Sequence, residues 1–402
     1  MGTRRTSRAI TTFLTLITTI VMAAGAMAAE SAKKPVIIGF DAEVGHVTST
    51  SDDAIRMGIL TAISEINAAG GVLGGRPLEL VIKDHRSVPA RGIKNIEEFA
   101  EIPDLIAVVG GKFSPVMQEE VSILHEKKMI LLSAWGAADN IVDNDRTPNY
   151  SFRLSLKDSW AIQTMLNHAA KKGAKRFGVL LPTTGWGRSC EKALKTHLAA
   201  HPELNATTVQ WYMWGDKSLL DKYEAARNSG AEAIILVANE AEGSILVKEV
   251  AALPQEKRLP IISHWGVTGG NFTKLTGEAI NQIDFSVVQT YSFFDNHREQ
   301  KLRQFYKTAG QLFKISKPED IPSPVGMAHA YDLTHILALA ADKAGTTDRS
   351  KIRTALEQVR NYDGLIKAYP RPFTAERHEA LEPGDLFMSR FRSDGAILRI
   401  RE

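Results

Sequence analysis

The sequence predicts an α/β protein of two lobes, each built on a mostly parallel sheet with helices on both faces. Short, continuously apolar runs alternate with amphipathic helical segments along most of the chain. The alternation occurs as two successive series, and no Gly/Ser-rich linker separates them. The two lobes are therefore expected to be joined by crossing strands rather than by one flexible tether.

The first series contains four predicted strands, at residues 36–40, 78–82, 105–109 and 129–132. Helices are predicted from Asp53, Pro89 and after Pro115, because apolar residues recur there with helical spacing. Gly70-Gly71 is expected to end the first of these helices, as C-terminal caps do.

The second series contains predicted strands at 177–181, 207–211, 233–237 and 261–262, with helices at 159–172, at 187–200 and before Gly230. A strand at 285–291, helices at 298–313 and 325–344, and strands at 387–391 and 397–400 around a turn at 393–395 complete the chain. We assign lobe 1 to residues 35–155 and 291–365, and lobe 2 to residues 156–290. Residues 366–402 are expected to return to lobe 2.

Residues 1–28 are predicted to be a secretory signal peptide. Arg4, Arg5 and Arg8 precede a short apolar run, and Ala26-Met27-Ala28 supplies a small-x-small cleavage site. The alternative, a membrane anchor, is disfavoured because the run is too short to span about 30 Å of hydrocarbon. The sequence thus predicts export to the periplasm, with cleavage near Ala28.

The charge balance and the cysteine content of the chain bear on its partners and on what stabilises it. The first 28 residues contain three arginines and no acidic residue, so the remainder has 46 residues of each sign. This balance gives no indication of a nucleic-acid partner. Cys190 is the single cysteine, so an exported chain of this length must rely on large apolar cores instead of disulfides.

No motif predicts catalysis or a cofactor. The glycines after the first strand do not form G-x-G-x-x-G, and no G-x-S-x-G nucleophile elbow is present. His329, Asp332 and His335 share part of one helix face, but their spacing differs from the i, i+4 pairs of helical zinc sites. A structural role is favoured for these three, and we expect no metal, no cofactor and no enzyme activity.

Tryptophans mark a candidate ligand cleft. Trp135, Trp186 and Trp265 lie just beyond the carboxyl ends of predicted strands, where open parallel sheets bind their ligands. The sequence therefore predicts a partly aromatic cleft. The alternative is ordinary packing of these side chains between the lobes.

The chain resembles the type I periplasmic binding proteins of ABC transporters, in particular the leucine/isoleucine/valine-binding group. Residues 62–74, AISEINAAGGVLG, are similar to that group's A-I-x-x-I-N-x-x-G-G-I-x-G segment. Weaker similarities follow in the family's order, at 108–111 with Ser114, 132–139, 185–187 and 328–333. The resemblance implies two Rossmann-like lobes.

It also implies roles for individual residues. The Ser114 hydroxyl and backbone groups at Ala137 and Ala138 would hold a ligand carboxylate, and Trp186 would cover the ligand from the second lobe. Three positions depart from the pattern: Ala138 replaces a threonine, Ser51 replaces an aromatic residue, and Trp265 stands where an acid pairs with the ligand ammonium. Glu240 either supplies that missing charge or is a solvated loop glutamate.

The expected function is the extracytoplasmic solute-binding component of an ABC importer. Its ligand would be an amino acid (branched-chain or related) or a similar small carboxylate, bound by hinge closure. The expected partners are this ligand and the permease subunits, and the expected state is a monomer. A ligand-sensing receptor of the same fold, reporting to a signalling partner, is the alternative; neighbouring permease or sensor-kinase genes would distinguish the two.

Overall fold

The computed structural model describes residues 33–46, 50–392 and 394–401. The predicted signal peptide lies outside these residues, as does Ser393 of the predicted C-terminal turn. Within the described ranges, no helix combines the length and the apolar character that crossing a membrane requires.

The first sheet has five parallel strands. They are β1 (Val36–Ala42), β2 (Leu78–Asp84), β3 (Leu105–Gly110), β4 (Leu131–Ser133) and β5 (Ser151–Arg153), in the spatial order β2-β1-β3-β4-β5. Every residue of β1 and β3 is buried, which explains their continuous apolar character. The helices that follow β1, β2 and β3 are α1 (Thr50–Ala68), α2 (Pro89–Ala100) and α3 (Ser114–Glu126). Strand β5 is an addition to the predicted set.

The second sheet begins with five parallel strands. They are β6 (Arg176–Pro182), β7 (Asn205–Tyr212), β8 (Ala233–Leu236), β9 (Ile261–Ser263) and β10 (Phe285–Gln289). Its helices are α4 (Asp158–Lys171), α5 (Gly185–Ala200), α6 (Leu220–Asn228), α7 (Glu240–Ala251) and the short α8 (Phe272–Thr276). Helix α7 was not among the predicted elements.

The chain then forms helices α9 (Glu299–Phe313), α10 (Pro324–Ala344) and α11 (Arg349–Leu356), and a small hairpin of β11 (Tyr362–Asp363) and β12 (Ala368–Tyr369). Helix α10 packs closely on α1; a Cβ on Gly58 would lie 2.2 Å from the Met327 carbonyl oxygen. Strands β13 (Phe387–Phe391) and β14 (Ile397–Arg399) join the second sheet antiparallel beside β10, in the order β14-β13-β10-β9-β8-β6-β7. The predicted two-lobed α/β fold is confirmed, while the residue boundaries of the lobes remain a proposal.

Asp332 fixes the segment that follows the helices. Its buried carboxylate accepts hydrogen bonds from the hydroxyls of Tyr362 (2.9 Å) and Tyr369 (3.0 Å) and from the backbone N–H groups of Leu365 (2.7 Å) and Ile366 (3.0 Å). Desolvation raises its pKa to about 6, and these donors oppose the rise. Four donors on one carboxylate favour a structural role for this residue.

Two buried carboxyl groups, Asp41 on β1 and Glu120 on α3, interact beneath the first sheet's carboxyl edge. Asn95 donates a 2.6 Å hydrogen bond to the Asp41 carboxylate. Burial raises the pKa of both groups, that of Asp41 to about 6. Because both pKa values lie above those of the unfolded chain, the stability from protonated carboxyl groups is present below about pH 4 and decreases as pH rises, through about 6 for Asp41.

Glu120→Gln should therefore stabilise the protein at alkaline pH. The amide supplies a permanent N–H donor to Asp41, so no proton has to be retained. We expect the variant's free energy of unfolding to exceed that of the wild type by about 1–3 kcal/mol at pH 8 and the difference to shrink towards pH 4.5. Urea unfolding at both pH values measures this, and a difference independent of pH would contradict it.

Candidate functional site

A small cavity lies where the carboxyl ends of the two sheets face each other. Its first wall follows β3 and β4 and consists of Lys112, Phe113, Ser114, Pro115, Trp135 and Ala137. Its second wall follows β6, β7, β8 and β9 and consists of Trp186, Trp214, Asn239 and Trp265. The free volume is about 10 Å³, enough for roughly one water molecule. Parallel sheets place their ligand sites at this edge.

Five aromatic side chains, here named the aromatic cleft, make up half of the ten wall residues: Phe113, Trp135, Trp186, Trp214 and Trp265. Rings from opposite walls touch. The Trp135 and Trp265 centroids are 5.1 Å apart, and those of Phe113 and Trp214 are 5.5 Å apart. A ligand must therefore part these rings to enter, which requires the two walls to separate.

Ser114 is the first residue of α3 and points its hydroxyl toward the loop after β4. Its Oγ accepts the backbone N–H groups of Ala137 (3.0 Å) and Ala138 (3.2 Å). These two N–H groups, predicted to hold a carboxylate directly, are thus engaged by the serine. With both N–H groups bound, the hydroxyl proton of Ser114 is left to donate. Ala138 is buried in the core of the first lobe and does not line the cavity.

Glu240 is buried and begins α7, so the alternative of a solvated loop glutamate is wrong. Its Oε1 lies 3.5 Å from the Nζ of Lys112, and both side chains are at most 5% exposed. This ion pair joins the end of β3 in one lobe to the start of α7 in the other. Glu240 does not line the cavity, whereas Lys112 does.

Asp52 of α1 fixes the backbone beside this ion pair. Its carboxylate accepts the N–H of Lys112 (2.6 Å) and that of Glu43 (3.2 Å). Desolvation raises the pKa of Asp52 to about 7, opposed by the charge of Lys112. Lys112 therefore has the acidic Asp52 of its own lobe and Glu240 of the other lobe as neighbours.

Trp186 is held by a buried polar cluster. Its Nε1–H donates a 3.0 Å hydrogen bond to Asp158 Oδ1, and the same oxygen lies 3.2 Å from His264 Nε2. Burial, and then the neighbouring Asp158, raise the pKa of the Cys190 thiol well above its usual range. Asp158, Cys190 and His264 offer ligand atoms within 4.8 Å of one another, the one such metal-capable group in the described part of the chain. Because Asp158 accepts the indole N–H of Trp186, its role is to position that ring.

Trp265 rests on His329 of α10, with ring centroids 5.5 Å apart. The imidazole contacts the Ala134 carbonyl (3.0 Å) and the Thr290 hydroxyl (2.9 Å). Burial lowers its pKa to about 3, so the ring is neutral. His329 thus supports the aromatic cleft from the first lobe's side.

The structure places five of the seven predicted site residues around one cavity: Ser114, Trp135, Ala137, Trp186 and Trp265. Ala138 and Glu240 lie behind it. The lining residues that the sequence did not predict are Lys112, Phe113, Pro115, Trp214 and Asn239. A signal existed for Trp214, which follows the predicted strand at 207–211 by three positions, as Trp135 and Trp265 follow theirs.

Comparison with known proteins identifies the family. The family model described as periplasmic binding protein matches residues 21–396. The chain belongs to this family. This periplasmic binding protein is 22% identical to Leu/Ile/Val-binding protein homolog 3 of Brucella melitensis over 347 residues, covering 84% of this chain and 87% of that protein. The predicted resemblance to the branched-chain amino acid group is confirmed.

Solved structures share the fold of this binding protein. The branched-chain amino acid transporter substrate binding protein LivJ of Streptococcus pneumoniae, in complex with isoleucine, aligns with a TM-score of 0.75 at 19% identity, over 91% of this chain and 100% of that one. A solute binding protein of an R. palustris ABC transporter, in complex with benzoate, aligns with a TM-score of 0.74 at 15% identity, over 91% and 95%. At these identities the alignments show a shared fold, and the family match makes the chain a solute receptor of the periplasmic binding protein family, similar to its branched-chain amino acid group.

Proposed function

We propose that this protein is the solute-binding component of an ABC importer and closes its two lobes around an amino acid or a similar small carboxylate. The observation that carries the proposal is the cavity between the facing carboxyl edges, with walls from both lobes. A ligand bound there would contact both lobes at once, so its binding energy would favour closure. Residues 1–28 would direct export and be removed.

The cavity walls suggest a division of roles. Ser114 and Lys112, on the first wall, would donate hydrogen bonds to the ligand carboxylate. Trp186 and Trp265, on the second wall, would cover its apolar part. The ligands isoleucine, in the S. pneumoniae protein, and benzoate, in the R. palustris protein, are both small carboxylates.

A thermal-shift screen over amino acids, aromatic acids and betaines tests the proposal. A ligand at a hundredfold excess over its Kd raises the free energy of unfolding by about 2.7 kcal/mol. Ser114→Ala should then weaken binding of the best ligand by about 1.5–3 kcal/mol, because its acceptor is charged. Ser122→Ala, at an exposed position of the same helix, is the matched control. Wild-type affinity in the Ser114 variant would place the ligand elsewhere.

A further inference from the structure

The cavity walls offer three hydrogen-bond donors, two on the first wall and one on the second. Lys112 carries an ammonium group, Ser114 keeps its hydroxyl proton, and the buried Nε1–H of Trp214 has no hydrogen-bond partner among the described residues. All three are suited to the oxygens of a carboxylate. The walls thus specify one end of the ligand.

Charge at this site disfavours a ligand that is only an anion. Lys112 is the charged residue of the two walls, and Glu240 already pairs with it from behind the cavity at 3.5 Å. Asp52 adds a further acidic group beside Lys112. A bare carboxylate would bring an extra negative charge into a buried region whose cation is already matched, which is costly. A ligand that carries a positive charge as well adds no net charge.

The side chains that would surround the ligand's positive charge are mostly aromatic rings. A buried primary ammonium has three N–H donors and loses free energy for each one left without an acceptor. The second wall presents Trp186, Trp214 and Trp265, with Asn239 as its polar side chain. A quaternary ammonium group has no N–H donor and is stabilised by the faces of aromatic rings, tryptophan most strongly.

Resting on the proposed function, we propose that the ligand is a betaine, a carboxylate joined to a quaternary ammonium group. Its carboxylate would bind Lys112 and Ser114. Its quaternary ammonium would part Trp135 from Trp265 and lie between their ring faces. Both charges of the ligand are then matched without an acidic side chain in the cavity walls.

Isothermal titration of the purified mature chain tests this with four probes. Glycine betaine carries both groups, and 3,3-dimethylbutanoate has the same shape without the positive charge. Leucine and benzoate represent primary ammonium and aromatic carboxylates. We expect glycine betaine to bind at least about tenfold more tightly than 3,3-dimethylbutanoate, since cation–π contacts strengthen when desolvated. It should also bind more tightly than leucine and benzoate.

The outcomes separate this proposal from the proposed function. Tighter binding of leucine, benzoate or 3,3-dimethylbutanoate than of glycine betaine would overturn the betaine assignment and leave the solute receptor in place. If none of the four probes binds, the betaine assignment is overturned. If the thermal-shift screen also finds no small carboxylate that binds, the proposed function is overturned as well.

Two variants assign the ends of the ligand. Trp265→Leu keeps apolar contact but removes the ring face, so it should weaken glycine betaine by roughly tenfold and 3,3-dimethylbutanoate by less than about threefold. Lys112→Met should weaken both probes. Trp160→Leu, at a tryptophan outside the cavity walls, should weaken neither. Equal losses of both probes in Trp265→Leu would show that the ring face does not recognise the positive charge.

Discussion

Arg153→Met should lower the free energy of unfolding by about 3–5 kcal/mol, because it leaves a buried carboxylate without its partner. Arg153 is fully buried at the end of β5 and binds Glu379 through Nε (2.9 Å) and Nη2 (2.6 Å). Its Nη1 donates to the carbonyls of Gly136 (3.2 Å) and Ala138 (2.9 Å). Urea unfolding at pH 7 measures the loss.

Two further variants distinguish this cause from a general loss of packing. Arg176→Met breaks a solvent-exposed pair with Glu232 and should cost at most about 1 kcal/mol. The double variant Arg153→Met, Glu379→Leu removes both buried charges and should recover part of the stability. A double variant less stable than Arg153→Met would contradict the assignment.

Trp186→Ala should weaken binding of the best ligand from the thermal-shift screen by about 2–4 kcal/mol, a loss of roughly 30- to 1000-fold. The indole is 6% exposed, faces the cavity and is fixed by Asp158. Its removal deletes a large apolar face from the second wall and leaves the Asp158 carboxylate short of a donor. Titration calorimetry measures the change.

Trp160→Ala is the matched control, because that indole does not line the cavity. Thermal melting of each variant separates lost stability from lost affinity. Similar affinities of the Trp186 and Trp160 variants would show that the aromatic cleft does not contact the ligand.

The sequence predicted the helices and strands whose burial is evident from their own residues. Strands β1 and β3 are apolar at nearly every position because helices cover both faces of the sheet. Strand β5 was missed because its Arg153 is a charged residue, and the partner of that buried charge, Glu379, lies 226 residues away. Helix α7 was missed because its first turn contains two glutamates that are buried only in the folded chain; Glu242 accepts the backbone N–H of Gly215 at 3.0 Å.

The candidate site was predictable in position but not in its internal pairing. Tryptophans after strand ends indicated the correct edge of both sheets, since parallel strands bring those ends together. The sequence could not show that Ser114 engages Ala137, or that Lys112 and Glu240 pair across 128 positions. The first pairing depends on how two loops of one lobe pack and the second on how the two lobes face each other, and no local pattern encodes either.

A crystal structure of the binding protein with the tightest ligand of the thermal-shift screen would show where the ligand binds. We expect ligand density between Ser114 and Trp265, with the rings of Trp135 and Trp265 parted around it. Density outside the two facing sheet edges, with those rings still in contact, would contradict it.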